Sequence, residues 1–185
     1  MAEIVNKIYK EIEDRCSLPT NIYGIDAWKY HIKLQYEITT NIYNKYNADY
    51  EIVALSALLQ NIALITDLEF IDEQQIINSS LAKEILLKYN YDSEKLKLIR
   101  KYISENINKN KANKEELCIN DSKNMLDFYN IPYLLRKMYI KTNTDLEECN
   151  FIITNKLSED YNNLSSVGNK IITPQYKAIK LVLNK

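Results

Sequence analysis

Apolar residues recur at steps of three and four along almost the whole chain, the repeat expected of helices that bury one stripe against their neighbours. The first such stretch runs from Ala2 to about Arg15 and ends at the punctuation of Leu18, Pro19, Thr20 and Gly24. Asp26 then has the chemistry of an N-cap for a long helix reaching about Tyr46, on which Ala27, His31, Leu34, Ile38 and Ile42 share a face. That spacing turns His31 inward. After a turn at Asn47, Ala48 and Asp49, the segment from Ile52 to Ala63 is apolar almost all round, the pattern of a helix at the centre of a bundle. Gln60 and Asn61 interrupt it.

A further helix is expected from about Glu73 to Tyr89, burying Ile77, Leu81 and Ile85. Asp92 or Ser93 starts the next, with Leu96, Ile99, Ile103 and Asn106 along one stripe. Lys109 to Lys114 reads as a loop. Shorter helices are expected over Glu115 to Asn130 and Tyr133 to Lys141, separated by Pro132, which disfavours helix at Ile131. Thr144 to Lys156 and Thr173 to Leu183, the latter with Pro174 in its first turn, complete the set. No internal repeat, low-complexity linker or shift in composition marks a boundary, so the expectation is a single all-α domain over residues 1–185.

Composition narrows the class without naming a chemistry. With 46% hydrophobic and 26% charged residues the chain reads as globular, and 2 glycines and 3 prolines leave few helix breakers. A net charge of -1 supplies no global field toward nucleic acid or an anionic bilayer, so nucleic acid is an unexpected partner. No run is long and apolar enough to span a membrane, and the polar start lacks the core of a signal peptide. Cys16, Cys118 and Cys149 are an odd, widely spaced set without a CxxC pair, which suits a reducing cytoplasm. Gly24 and Gly168 alone exclude a P-loop or dinucleotide fingerprint, and the single histidine excludes a His-rich zinc site.

The order of the polar interruptions carries a resemblance. The run Asp49-Tyr50-Glu51-Ile52-Val53-Ala54-Leu55-Ser56-Ala57-Leu58-Leu59-Gln60-Asn61-Ile62-Ala63 comes about thirty residues after the helical His31. It resembles the helix that ends in the His-Asp pair of the HD family of metal-dependent phosphohydrolases, with Gln60 where the His belongs and Asn61 where the Asp belongs. Ser79-Ser80-Leu81-Ala82 with Glu84-Ile85-Leu86 is similar to the helix that carries another His, for which Ile77 or Asn78 is the nearest position. Tyr102-Ile103-Ser104-Glu105-Asn106 is similar to the family's next helix, with Asn106 at a common His position. Asp121-Ser122-Lys123-Asn124-Met125-Leu126-Asp127 resembles the late Asp segment, and Thr173-Pro174-Gln175-Tyr176-Lys177-Ala178 the closing helix. The resemblance covers most of residues 26–183 and implies a compact HD-type bundle.

The departures from that pattern set the functional expectation. Of the four ligands the family implies, His31 is retained, Asp121 is the candidate late carboxylate with Ser122 and Asn124 as alternatives, and Gln60 and Asn61 offer only neutral oxygens. Carboxylate charge supplies much of the affinity for a hard cation, so His31 and Asp121 are weak metal candidates and no resident cofactor is expected. If the site were active, the resemblance implies Fe, Mn or Mg, with His31 the best catalytic candidate. The former metal-site positions, His31, Gln60, Asn61, Asn106, Asp121 and Asn124, then read either as contacts to a ligand or as a hydrogen-bonded network in the metal's place.

The expected function is therefore binding, of a nucleotide-like or phosphorylated small molecule or of a protein partner. The alternatives are an active phosphohydrolase with a weak metal site, and a structural subunit of an oligomer. The basic stretch of Lys95, Lys97, Arg100, Lys101, Lys109, Lys111 and Lys114 is a candidate phosphate attractor, against the simpler reading of a solvated helix face.

Overall fold

The computed structural model describes residues 3–18, 24–65, 74–105, 107–142 and 145–183, and the regular elements in them are all helical. The class is all-α, as the periodicity predicts. The chain divides into two compact units, Met1–Ile119 and Asn120–Lys185.

The first unit holds α1 (Glu3–Cys16), α2 (Gly24–Ala27), a π-helical turn (Trp28–Ile32), α3 (Lys33–Tyr46), α4 (Tyr50–Leu59) and a 3-10 turn (Ile62–Ile65). It continues with α5 (Gln74–Lys88), α6 (Ser93–Ser104) and the start of α7 (Lys114–Tyr129). Helix α4 packs against α1, α3, α5 and α6, and each residue from Ile52 to Leu59 is buried. A fully buried Leu or Ile side chain contributes about 1.5–3 kcal/mol, so this helix is the main hydrophobic anchor of the unit.

Its start is fixed by chemistry legible in the sequence. Asn47 takes the left-handed conformation (φ 51°) that ends α3, and Asn tolerates that region better than most residues. Asp49 then caps α4, its Oδ1 accepting the N–H groups of Glu51 (2.9 Å) and Ile52 (3.2 Å). The Asp49 N–H in turn donates to Glu115 Oε1 at 3.1 Å, which ties the start of α7 to the start of α4.

Two stripes differ from the periodic expectation. Asp26 lies inside α2 and does not cap the long helix. Ala27, Ile38 and Ile42 are buried as expected, but the π turn, wider than an α turn, shifts the register of the residues after it, so that Trp28, Ile32, Gln35, Thr39 and Tyr46 are buried as well. His31 and Leu34 are left half-buried. On α5 the buried positions are Asn78, Ser79, Ala82, Ile85 and Leu86, with Ile77 and Leu81 half-buried. The inward Asn78 is satisfied, because its Oδ1 accepts the N–H of Ala63 at 2.7 Å.

The second unit holds the rest of α7, then α8 (Ile131–Thr142), α9 (Leu146–Asn163) and α10 (Ser166–Leu183), with α9 packed against both α8 and α10. Two prolines behave differently from the sequence reading. Ile131 is helical, because Asn130 Oδ1 accepts the N–H of Tyr133 and Pro132 falls in a first turn where its missing N–H costs nothing. Pro174 sits inside α10, since the start of that helix is set upstream at Ser165. Tyr161 and Tyr176 stack with centroids 4.3 Å apart, and the Tyr161 hydroxyl pairs with Thr173 Oγ1 at 2.8 Å. Among the described residues no helix is long and apolar enough to cross a membrane.

Candidate functional site

The sequence-derived site residues fall in both units. His31, Gln60 and Asn61 belong to the first, and Asp121 and Asn124, on α7, to the second. Asn106 lies outside the described residues.

In the first unit the interior polar groups gather at the C-terminal end of α4. Gln60 is the C-cap of that helix, its N–H donating to Ser56 O at 2.9 Å, and Asn61 comes next. Asn61 Nδ2 donates to Gln35 Oε1 at 2.9 Å, which joins this end of α4 to α3. Gln35 is wholly buried, and it stands one turn after His31. His31 itself belongs to the π turn, a geometry that recurs at functional sites. Three buried side-chain atoms of the first unit have no hydrogen-bond partner, Gln35 Nε2, Ser56 Oγ and Gln60 Nε2, as do Asn169 Oδ1 and Gln175 Oε1 of the second. Each such group costs about 1–3 kcal/mol of stability while it is unmatched.

In the second unit Asp121 is fully buried and accepts from the backbone N–H of Ser165 at 2.9 Å, from the Ser165 hydroxyl and from Asn120 Nδ2 at 3.3 Å. Ser165 Oγ also accepts the N–H of Gly168 at 3.2 Å, so Ser165 caps α10 and Asp121 holds the cap. The approach is close. A Cβ on Gly168 would collide with Asp121 Oδ2 and lie 2.7 Å from its Cγ, which leaves glycine as the residue that fits. Placing a carboxylate at the start of α10 also suits the helix dipole. Asn124 is engaged in its own helix, Nδ2 donating to Asn120 O at 2.8 Å, and Ser122 is fully buried.

These residues do not fit a hard divalent cation. Gln60 and Asn61 are uncharged, Asn61 is spent on Gln35, and the Asp121 carboxylate is spent on Ser165. Among the described residues no group of three or more His, Cys, Asp or Glu side chains is placed to hold a metal ion.

The basic stretch is largely committed to carboxylates. Lys95 pairs with Glu51 at 2.9 Å, Lys97 with Glu94 at 2.8 Å, Lys101 with Glu116 at 2.9 Å and Lys114 with Glu115 at 3.6 Å. Arg100 Nε donates to Ser79 Oγ at 3.3 Å. Glu51 also accepts the Tyr91 hydroxyl at 2.8 Å, so the Lys95 pair helps join α4 to α6.

Thiol and aromatic chemistry is structural. Cys16, Cys118 and Cys149 are buried thiols outside any disulfide, and burial, reinforced by Glu13, pushes the Cys16 thiol up to about 12, where it is inert. The tyrosines of α3 pack edge to face, Tyr36 against Tyr9 and Tyr43 against Tyr50, and the Tyr36 and Tyr50 hydroxyls meet at 3.1 Å. Sequence reasoning missed Gln35, which was hidden by the π turn that no periodic template contains; Ser56 shows in the sequence as a break in the apolar run, with no role attached to it. Comparison with protein-family models, curated proteins and solved structures yields no match for this chain.

Proposed function

We propose that the chain is a catalytically reduced HD-type domain that works by binding, with the polar interior of its first unit as the binding site. One observation carries the reading: the neutral carboxamides Gln60 and Asn61 stand where the resemblance implies metal ligands, Asn61 is bonded to the buried Gln35, and Gln35 and Gln60 each keep an unmatched amide nitrogen. Without an ion to acidify a water or polarise a phosphoryl oxygen, the groups left at the site can orient a ligand but have little means of cleaving one. Of the small-molecule ligands considered, a nucleotide-like one is favoured over one held mainly through phosphate, since the basic stretch is paired with acids. The three buried thiols support a cytoplasmic setting as part of this reading.

Metal analysis of the purified protein, with turnover assays on phosphomonoester and phosphodiester substrates with added Mn, Mg or Fe, tests the proposal. The expected result is substoichiometric metal and no turnover above background. One equivalent of metal with turnover that His31→Ala abolishes would establish the active phosphohydrolase instead.

A second reading, a subunit that works through a protein partner or a second copy, is favoured by exposed apolar side chains in the second unit. Leu146, Phe151, Leu181 and Val182 are 64, 67, 75 and 73% exposed. Light scattering across a concentration series distinguishes it, because a monomer at all concentrations removes self-association as the role of these residues.

A further inference from the structure

Among the described residues, the most exposed large apolar side chains all belong to two helices of the second unit. Leu146 and Phe151 lie in the first two turns of α9, and Leu181 and Val182 in the last turn of α10. The cover of α10 lies upstream of its pair. Gly168 and Ile172 are its buried residues, and Tyr176 packs on Tyr161 and Phe128. Beyond Tyr176, Lys177, Ala178, Lys180, Leu181 and Val182 are all exposed. Helical stability in a protein comes mainly from packing an apolar face, and this end of α10 has apolar residues without that packing.

Charge distinguishes the two patches. From Ser166 to Leu183 the only charged residues are Lys170, Lys177 and Lys180. On α9 the one lysine, Lys156, is held between Asp127 and Asp160 at 2.7 Å from each. The charges that α9 shows to solvent are therefore acidic, with Glu147 and Glu148 beside Leu146 and Phe151. Helix dipoles suit acids at the start of α9 and lysines at the end of α10, but they give no reason for exposed Leu, Phe and Val among those charges. One unit thus carries an acidic apolar patch and a basic apolar patch, and the exposure of all four apolar side chains shows that neither patch covers the other.

We infer that the end of α10 docks on the start of α9 of a second copy, Leu181 and Val182 meeting Leu146 and Phe151 while Lys177 and Lys180 meet Glu147 and Glu148. The inference rests on the reading of the chain as a self-associating subunit and names the surface it uses. Because each copy carries both patches, a two-fold axis makes the contact twice, and the pair closes without a patch left over for a third copy. The exposed acids of α9 disfavour an anionic bilayer as the occupant.

Sedimentation velocity of the full chain over a concentration series, with two charge-reversed variants, tests this. Lys177→Glu/Lys180→Glu sets acid against acid in a homodimer, and Glu147→Lys/Glu148→Lys sets base against base. An equimolar mixture of the two variants restores opposite charges at both contacts. The expected result is a concentration-dependent dimer for the parent, association at least about tenfold weaker for each variant alone, and recovery in the mixture. All four substituted residues are exposed, and far-UV circular dichroism verifies that each variant is folded. Undiminished association of Glu147→Lys/Glu148→Lys would show that α10 does not dock on α9, overturning the inference while self-association stands. A parent that is monomeric at every concentration would overturn both, and its flotation with phosphatidylserine vesicles would then make a lipid surface the occupant.

Discussion

The Asp121 junction and the Gln35 cluster are both buried polar arrangements, yet they are built to opposite ends. At the first, carboxylate, hydroxyl and backbone N–H groups close on one another around Ser165, with Gly168 leaving room for the approach. At the second, one hydrogen bond joins Asn61 to Gln35, the Gln35 Nε2 has no partner, and elsewhere in the same unit Ser56 Oγ and Gln60 Nε2 also have none. A closed network rigidifies the fold around it, whereas an open one carries a standing cost that a ligand can remove. Position in a sequence pattern therefore says less about role than whether the hydrogen bonds are used up.

The comparison breaks first, and with the largest effect, at Gly168. Gly168→Ala is expected to lower stability by about 3 kcal/mol, because the new methyl meets a buried, bonded carboxylate with no room to move. Urea denaturation monitored by far-UV circular dichroism measures it, and a change within error would show that the junction yields. Next comes Asp121→Ala, expected to cost about 2 kcal/mol by leaving the Ser165 N–H and hydroxyl without their acceptor. An unaffected fold there would release Asp121 for a role in chemistry.

The opposite sign is expected in the first unit. Ser56→Ala is predicted to leave stability unchanged or raise it by up to about 1 kcal/mol, because an unmatched buried hydroxyl is removed with little change in volume. The sole tryptophan, Trp28, lies in this unit and reports its unfolding by fluorescence.

The smallest effect concerns acid. Burial raises the Glu116 carboxyl, but the hydrogen bonds from Lys101 and the Asn113 N–H, with the Lys101 charge, outweigh it and hold the group below its ordinary value of 4.5. A lowered folded value means that its contribution is full above pH 4.5 and is lost as pH falls through the folded value. Glu116→Gln is therefore expected to flatten the fall of stability in acid slightly, as seen in a pH series of urea midpoints; an unchanged slope would show that the pair contributes nothing measurable.

Much of the fold was legible because its signals are local. Asp92 caps α6 as its side chain predicts, the turn expected at Asn47, Ala48 and Asp49 precedes α4, and the run from Ile52 to Leu59 is the buried centre of its unit. The features that failed to show were non-local or rare. The π turn at Trp28–Ile32 moves Gln35 into the interior and His31 toward the rim, and no regular period contains it. Pro174 read as a helix start because the true start depends on Asp121, a residue 44 positions before Ser165. At the site, Gln60 and Asn61 were visible as polar interruptions, but Gln35 on α3, the partner of Asn61, was not.

The central claim, that the interior carboxamides of the first unit are spare binding capacity and not part of what holds the fold together, is tested most directly by the stability of the Ser56→Ala/Gln60→Leu double variant, read from Trp28 fluorescence in urea. The account predicts a stability equal to the parent's or higher, by about 1 kcal/mol. A loss comparable to that of Asp121→Ala would contradict it and make the cluster a structural network like the one around Ser165.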